Sequence, residues 1–127
     1  MSFEKFSPST KKNRPLASIS TLARLSLNEA CVDSFGLEGL NFAELFYDSA
    51  EKLIGIRFQA TQGNDALRVQ RRKNSGLFFN MKSFFHAYRI DYSKTYFCLV
   101  RQDAEDKKFI IVDLKVKSTR RAYDVTE

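Results

Sequence analysis

The sequence has no tryptophan, one histidine, two cysteines and two prolines among 127 residues. Cys31 and Cys98 lie far apart within apolar patterns, which indicates buried thiols and not a disulfide, a metal site or a nucleophile. The single histidine, His86, has no neighbouring nucleophile or ligand set, and no phosphate-binding glycine motif or calcium loop occurs. The pattern therefore favours a protein that is not an enzyme, with no catalytic residue, metal or cofactor.

Long apolar runs are also missing. No run approaches the roughly 20 residues that a membrane helix needs, and residues 1–7 lack the apolar segment of a signal peptide. Reduced thiols are typical of cytoplasmic proteins, so we expect a cytoplasmic protein with no membrane partner. The composition, 43% hydrophobic and 13% aromatic, is sufficient for a core built on phenylalanine and tyrosine rings.

The formal charge of +6 is unevenly distributed. Residues 1–62 contain seven Lys or Arg and seven Asp or Glu, whereas residues 63–127 contain fourteen and eight. A basic half suits nucleic acid, anionic lipid or an acidic protein surface. A solvated basic face that keeps the chain soluble explains the same numbers.

Two parts of the chain follow the same predicted order of strand, turn, strand, short helix, strand, turn and strand. The predicted strands cover residues 16–20, 24–27, 42–47, 53–58, 66–70, 77–79, 95–100 and 109–114. Asn28 and Asn80 are each predicted to cap a helix, and Gly36 provides a left-handed stop for the first one. In the second helix, Met81, Phe84, Phe85 and Tyr88 form one apolar stripe that we expect in the core.

This order predicts a mostly β protein with short helices, an α+β fold in which two tandem β-β-α-β-β units share one barrel-like or sandwich core. Residues 16–58 form the first unit and residues 66–114 the second, joined by a link at residues 59–65. Residues 1–15 are expected to be a flexible basic arm and residues 115–127 a basic tail. The short link excludes two independent domains on a long tether.

The matched order resembles that of the AbrB/MazE/SpoVT swapped-hairpin, or looped-hinge, β-barrel family. In the first copy the resemblance is carried by Ala23-Arg24-Leu25-Ser26-Leu27, Phe35-Gly36-Leu37 and the hairpin of residues 42–58 with its turn at Asp48. In the second copy it is carried by Gly76-Leu77-Phe78-Phe79, Arg89-Ile90 and residues 95–114. Two copies in one chain resemble the tandem arrangement of MraZ-type members. The proline that usually follows the Gly-Arg strand is replaced by Asn28 and Asn80.

The resemblance implies a small prokaryotic or phage-type, transcription-regulator-like protein that binds duplex DNA. Its basic residues map onto Arg24 in the first copy and onto Arg71, Arg72 and Lys73 in the second. Physical chemistry adds Arg68 to this basic turn, because Lys and Arg neutralise phosphates and release counterions. The N-terminal arm offers further contacts through Lys11, Lys12 and Arg14.

Other interpretations remain open. A solvated surface also explains the basic turn. The alternative function is that of a protein-binding module, such as an antitoxin or a phage-encoded inhibitor of a host enzyme. Aromatic residues near basic ones suit single-stranded nucleic acid, although core packing explains most of them. These residues are Phe78, Phe84, Phe85, Tyr92, Tyr96 and Tyr123. The chain is either a monomeric pseudo-dimer or a homodimer.

Overall fold

The computed structural model describes residues 14–73 and 76–119. These residues form nine strands and two short helices: β1 (Leu16–Ile19), β2 (Arg24–Leu27), α1 (Glu29–Phe35), β3 (Phe42–Asp48), β4 (Leu53–Gln59), β5 (Leu67–Arg68), β6 (Gln70–Arg71), β7 (Leu77–Asn80), α2 (Lys82–Ala87), β8 (Tyr96–Gln102) and β9 (Phe109–Ser118). Every predicted strand and helix is confirmed in type and place. The strand predicted at residues 66–70 is interrupted at Val69, and β9 continues four residues past its predicted end.

All nine strands belong to one sheet in the order β5-β3-β4-β9-β8-β1-β2-β7-β6, with antiparallel neighbours. The two edge strands, β5 and β6, are separated only by Val69, whose amide donates to the Asn41 carbonyl at 2.8 Å. Residues 67–71 therefore pair with β3 at one end and with β7 at the other. The sheet is nearly closed into a barrel, which confirms the mostly β, barrel-like fold.

The barrel interior is apolar and is filled from both halves of the chain. Along β4, the alternate residues Ile54, Ile56 and Phe58 are fully buried, as expected for a strand with one face on the core. The Phe58 ring lies 5.9 Å from the ring of Phe79 in β7, centroid to centroid. One core cluster thus joins residues from the early and the late part of the chain.

Both cysteines are free and buried, as predicted. Burial raises the pKa of the Cys31 thiol to about 12 and that of the Cys98 thiol to about 11, because the thiolate would lose its hydration. The Cys31 thiol also donates to the Leu16 carbonyl at 3.4 Å. The two side chains therefore act as small core residues with unreactive thiols.

Helix α1 begins and ends as the sequence predicts. The Asn28 side-chain oxygen accepts from the amide of Cys31 at 3.1 Å and from the amide of Leu16 at 3.2 Å. Its side-chain nitrogen donates to the Arg14 carbonyl at 2.8 Å. Gly36 adopts a left-handed conformation with φ of 66° and ends the helix. Asn28 therefore caps α1 and also fixes the start of β1.

Helix α2 begins differently, and the prediction that Asn80 caps it is wrong. Asn80 is the last residue of β7 and pairs with Arg24 of β2, which keeps its backbone extended. The cap position is Met81, which makes no side-chain capping hydrogen bond. A strand pairing with a distant part of the chain therefore overrides the local capping signal.

The apolar stripe of α2 is only partly in the core. Met81 and Phe85 are buried and Phe84 is half-buried, as expected, but Tyr88 is 46% exposed. The Tyr88 ring packs at the barrel end against Tyr47, with ring centroids 4.7 Å apart. The core prediction therefore fails for Tyr88, which follows the last helical residue, Ala87, and whose ring packs on the partly exposed rings of Tyr47 and Phe84.

The two asparagines give a matched pair of substitutions. We expect Asn28→Ala to lower the free energy of unfolding by about 1–2 kcal/mol, because it removes the cap of α1 and the bond to β1. Asn80 is exposed and caps no helix, so Asn80→Ala should lower the free energy of unfolding by less than about 0.5 kcal/mol. Urea unfolding of both variants measures the difference, and equal losses would contradict the capping role of Asn28.

Candidate nucleic-acid interface

Four consecutive strands of the barrel come from two chain segments that lack acidic residues. Residues 14–28 contain β1 and β2, and residues 66–90 contain β5, β6, β7 and α2. Neither segment has an Asp or Glu, and together they hold eight basic residues: Arg14, Arg24, Arg68, Arg71, Arg72, Lys73, Lys82 and Arg89. Residues 29–65 and 91–119 hold eight basic and twelve acidic residues.

The sheet order turns this composition into a surface. Strands β1, β2, β7 and β6 are neighbours in the sheet. We call their outward surface, together with Arg68 of β5 and the turn at residues 72–73, the basic face. Positive charge therefore collects on one side of the barrel, while the other side is net acidic.

The outward residues of the basic face follow from strand alternation. Leu25 and Leu27 of β2 are buried, so Arg24 and Ser26 point outward. In β7, buried Leu77 and Phe79 leave Phe78 and Asn80 on the outer side in the same way. Ser26 and Phe78 lie directly opposite each other in the pairing of β2 with β7.

Two arginines meet at the ring of Phe78. The guanidinium carbon of Arg24 lies 4.8 Å from the ring centroid, and that of Arg72 lies 4.9 Å from it. Arg72 also donates from Nη2 to the Ser26 hydroxyl at 3.0 Å. These contacts are cation–π interactions, in which the negative face of the ring attracts the guanidinium. We call Arg24, Arg72, Phe78 and Ser26 the Arg–Phe cluster.

The backbone explains how both arginines reach one ring. Arg24 pairs with Asn80, two residues after Phe78. The Arg72 amide donates to the Gly76 carbonyl at 2.8 Å, two residues before Phe78. The two side chains therefore approach the ring from opposite ends of β7. In the described part of the chain their partners are a ring and a hydroxyl, not a carboxylate.

Arg68 forms a second ring contact beside the cluster. It pairs with Phe42 across β5 and β3, and its guanidinium carbon lies 5.8 Å from the Phe42 ring centroid. Arg68, Phe42, Asn41 and Val69 line an open cleft of about 220 Å³. Lys73 is exposed in the turn after Arg72.

Arg71 has a different environment from its neighbours. Its Nη2 donates to the carbonyl of Leu37 at 2.8 Å and to that of Leu40 at 2.9 Å, which ties β6 to the loop between α1 and β3. Partial burial lowers the pKa of Arg71, and the charge of Glu38 opposes that shift. The Arg71 guanidinium therefore bonds to two backbone carbonyls, whereas those of Arg24 and Arg72 lie over a ring.

This geometry predicts a stability role for Arg71. We expect Arg71→Ala to lower the free energy of unfolding by about 1–3 kcal/mol, because it removes two charge-assisted hydrogen bonds at a partly exposed site. Arg68→Ala is the matched control, and its loss of one ring contact should cost about 0.5–1 kcal/mol. Thermal and urea unfolding measure both, and a loss for Arg71→Ala no larger than the control would contradict the assignment.

The remaining predicted contacts are dispersed. Arg14 is exposed, and its carbonyl accepts from the Asn28 side chain at the end of β2 away from Arg24. Lys11 and Lys12 lie outside the described residues. Arg24 and Arg72 therefore lie together in the structure, with Arg68 and Lys73 beside them. Arg71 instead forms hydrogen bonds within the fold. The outward positions of Ser26 and Phe78 complete the site.

The region of His86 is a hydrogen-bonded surface cluster. His86 Nε2 lies 2.7 Å from the Tyr92 hydroxyl, and the Tyr96 hydroxyl donates to Asp91 at 2.7 Å. The Ser93 amide, with its side chain and the Tyr96 hydroxyl, lowers the pKa of Asp91 to about 2. These contacts order the loop that joins α2 to β8.

The opposite side of the barrel provides a contrast. The guanidinium carbon of Arg57 lies 5.6 Å from the Phe46 ring centroid and 5.4 Å from that of Phe109. Arg57 also forms an ion pair with Asp106 at 3.2 Å. The Phe109 ring covers Gly55, where an added Cβ would lie 2.3 Å from the ring. The same ring-and-guanidinium motif is thus charge-balanced on this side.

The fold and site together define a class of protein, a nearly closed β-barrel whose surface separates positive from negative charge. Neither α1 nor α2, the helices within the described residues, is long and apolar enough to cross a membrane. No family model, no curated protein and no solved structure matches the chain. The geometry of the basic face is therefore the basis for a proposed function.

Proposed function

We propose that the protein binds DNA through phosphate contacts on the basic face, as a small prokaryotic or phage-type regulator. The observation that carries this proposal is the separation of charge, because residues 14–28 and 66–90 hold eight basic and no acidic residues. A cationic surface releases counterions from a nucleic acid backbone, which gives affinity independent of sequence. Arg24, Arg68, Arg72 and Lys73 supply the phosphate contacts, with duplex DNA as the expected ligand.

We also propose that the barrel consists of two tandem units. In the first unit, β1, β2, α1, β3 and β4 correspond to β6, β7, α2, β8 and β9 in the second. Residues 67–71 are counted here as one strand. When every strand is replaced by its counterpart in the other unit, the same pairs of strands remain neighbours in the sheet. Two chemically unrelated halves have no reason to share this property.

The strand registers support the same correspondence. Ser18 lies opposite Ser26 in the first hairpin, and the residues 52 positions later, Gln70 and Phe78, lie opposite each other in the second. At the pairing of β4 with β9, Phe58 donates to the Lys108 carbonyl and Leu114 to the Lys52 carbonyl, both at 2.9 Å. The two donors, Phe58 and Leu114, are 56 positions apart in the chain, and so are the two acceptors, Lys52 and Lys108.

The proposed pseudo-twofold axis passes through the pair Ser26 and Phe78, at the centre of the basic face. The side chains around the axis are not equivalent, because Arg24 corresponds to Gly76 and Arg72 corresponds to Ser20. The backbone therefore has the approximate twofold symmetry of a dimer. The cations do not follow this symmetry, because they lie around the Phe78 ring. This favours a monomeric pseudo-dimer that contacts one backbone strand of the nucleic acid more than the other.

The salt dependence of DNA binding tests the proposal. Fluorescence anisotropy with a labelled duplex, repeated over a range of salt concentrations, should give a slope of log K against log salt of about −3 to −4 if four side chains contact phosphates. Tight binding that is insensitive to salt would contradict phosphate contact. Absence of binding at low salt would overturn the proposal itself.

One observation favours the alternative, a protein-binding module such as an antitoxin or a phage-encoded inhibitor of a host enzyme. Phe46 and Leu99, on the net acidic side of the barrel, are 42% and 50% exposed. Exposed side chains of this size are available to a protein partner, and where they form a contiguous patch they mark an interface. A purified partner enzyme whose binding is lost on Phe46→Glu and retained on Arg72→Glu would support this alternative over DNA binding.

A further inference from the structure

We infer that the basic face binds single-stranded nucleic acid more tightly than duplex, by stacking unpaired bases on the rings and guanidinium groups of the Arg–Phe cluster and of the Arg68 and Phe42 pair. The inference rests on the proposed function, since it names the form of nucleic acid that the same face prefers. The phosphate contacts described above serve both forms, so the preference must come from groups that recognise exposed bases.

Two phenylalanines lie outside the core. Phe42 and Phe78 belong neither to the buried core nor to the partly buried hydrophobic residues packed against it. Core packing therefore does not explain them, and neither does phosphate binding, which needs only cations and hydrogen-bond donors. These outward rings, each in contact with an arginine, are therefore available to a ligand with a flat apolar face.

Rings and cations combine on this surface in a way that suits unpaired bases. Unpaired bases stack both on aromatic rings and on the planes of guanidinium groups. In the Arg–Phe cluster, two guanidinium groups lie within 5 Å of the Phe78 ring centroid. Because they lie over the ring, a base stacks on the outer plane of a guanidinium that the ring supports, and the same group carries the charge that attracts phosphates. Ser26, beside the ring, holds one of these guanidinium groups in place, because its hydroxyl accepts from Arg72 Nη2 at 3.0 Å.

These groups lie along one line on the surface. Residues 67–72 run as an extended segment, so Arg68, Gln70 and Arg72 occupy alternate positions on its outer side. Arg68 and Arg72 are separated by about 13 Å along the segment, at about 3.3 Å per residue. The open cleft of about 220 Å³ beside Phe42 lies at one end of this line, and the Phe78 ring lies beside the other. A short oligonucleotide spans both stacking points.

Duplex DNA cannot use this surface in the same way. Its bases are stacked on each other and present only their edges in the grooves. A duplex therefore gains only the phosphate contacts, whereas a single strand gains phosphate contacts and base stacking.

The test compares a short oligothymidylate with a duplex of the same length in one buffer. We expect the single strand to bind about 10-fold more tightly than the duplex, and Phe78→Leu to weaken single-strand binding about 10-fold while changing duplex binding less than about twofold. Leucine keeps the apolar volume and removes the flat face. Phe46→Leu is the matched control, because Phe46 is also an outward ring beneath an arginine but lies on the opposite side of the barrel.

A second variant keeps the test independent of any folding defect. Arg72→Lys retains the charge and removes the planar group, so single-strand affinity should fall several-fold while duplex affinity is unchanged. Equal affinity for the two forms, or equal effects of Phe78→Leu and Phe46→Leu, would overturn the stacking inference and leave DNA binding intact. Failure to bind either form at low salt would overturn the proposed function itself.

Discussion

Reversal of three charges on the basic face, by Arg24→Glu, Arg72→Glu and Lys73→Glu together, is expected to weaken DNA binding about 100-fold at about 0.15 M salt. Each phosphate contact contributes about 0.9 to the slope of log K against log salt. Three lost contacts therefore remove about two decades of affinity at this salt concentration, before any repulsion from the new carboxylates. The slope itself should fall by about three in magnitude.

The control for this triple variant changes the net charge by the same amount elsewhere. Lys94→Glu, Arg101→Glu and Lys107→Glu together also lower the formal charge from +6 to zero, but these exposed residues lie on the net acidic side of the barrel. We expect this variant to keep most of the affinity. A loss as large as that of the first triple would mean that overall charge, and not the basic face, attracts DNA.

Arg71 is left unchanged in both triples because its guanidinium holds two backbone carbonyls. Reversing it with its neighbours would combine a loss of stability with a loss of binding. The sequence presents residues 71–73 as one basic run, yet strand geometry divides them. Arg71 bonds within the fold, Arg72 lies over a ring, and Lys73 is exposed in the turn.

Short-range patterns were sufficient to predict the secondary structure. Alternation placed β4 with Ile54, Ile56 and Phe58 on one face, and all three are buried. The cap at Asn28 and the left-handed stop at Gly36 are also local signals, because they depend on residues within one helical turn. Such patterns act before any long-range pairing forms, so a single sequence contains them in full.

Long-range pairing was not predictable from those patterns, and the candidate site depends on it. Strands β2 and β7 are neighbours although about 50 residues separate them, and only this pairing brings Arg24 to Phe78. The split of the sequence into a neutral and a basic half also hid the real division of charge. The acid-free strands come from both halves and meet in the sheet.

One signal for the site was present in the sequence. If residues 77–80 form a strand whose Leu77 and Phe79 face the core, then Phe78 must face outward. The abundance of phenylalanine made core packing the simpler explanation for every ring. The structure separates the two cases, because Phe79 is fully buried and Phe78 is only half-buried.

The largest loss of stability is expected from Phe58→Ala, at about 3–5 kcal/mol. Phe58 is fully buried in β4 and packs on Phe79 of β7, so its removal leaves a cavity between strands from opposite ends of the sheet. Phe46→Ala in β3 is the control, because its ring is 42% exposed and should cost about 1 kcal/mol or less. Phe58→Leu, at about 1–1.5 kcal/mol, keeps the effect measurable if the alanine variant unfolds.

Hydrogen exchange in the Phe58→Leu variant distinguishes one shared core from two. The core cluster includes residues from both proposed units. The loss of stability should therefore speed up exchange of the most protected amides throughout the barrel, because these amides exchange only when the whole protein unfolds. Amides of β1 and β2 should then lose as much protection as those of β8 and β9. If protection fell only within residues 16–58, the first unit would be a separate cooperative element, and the closed barrel would be two packed halves with independent stability.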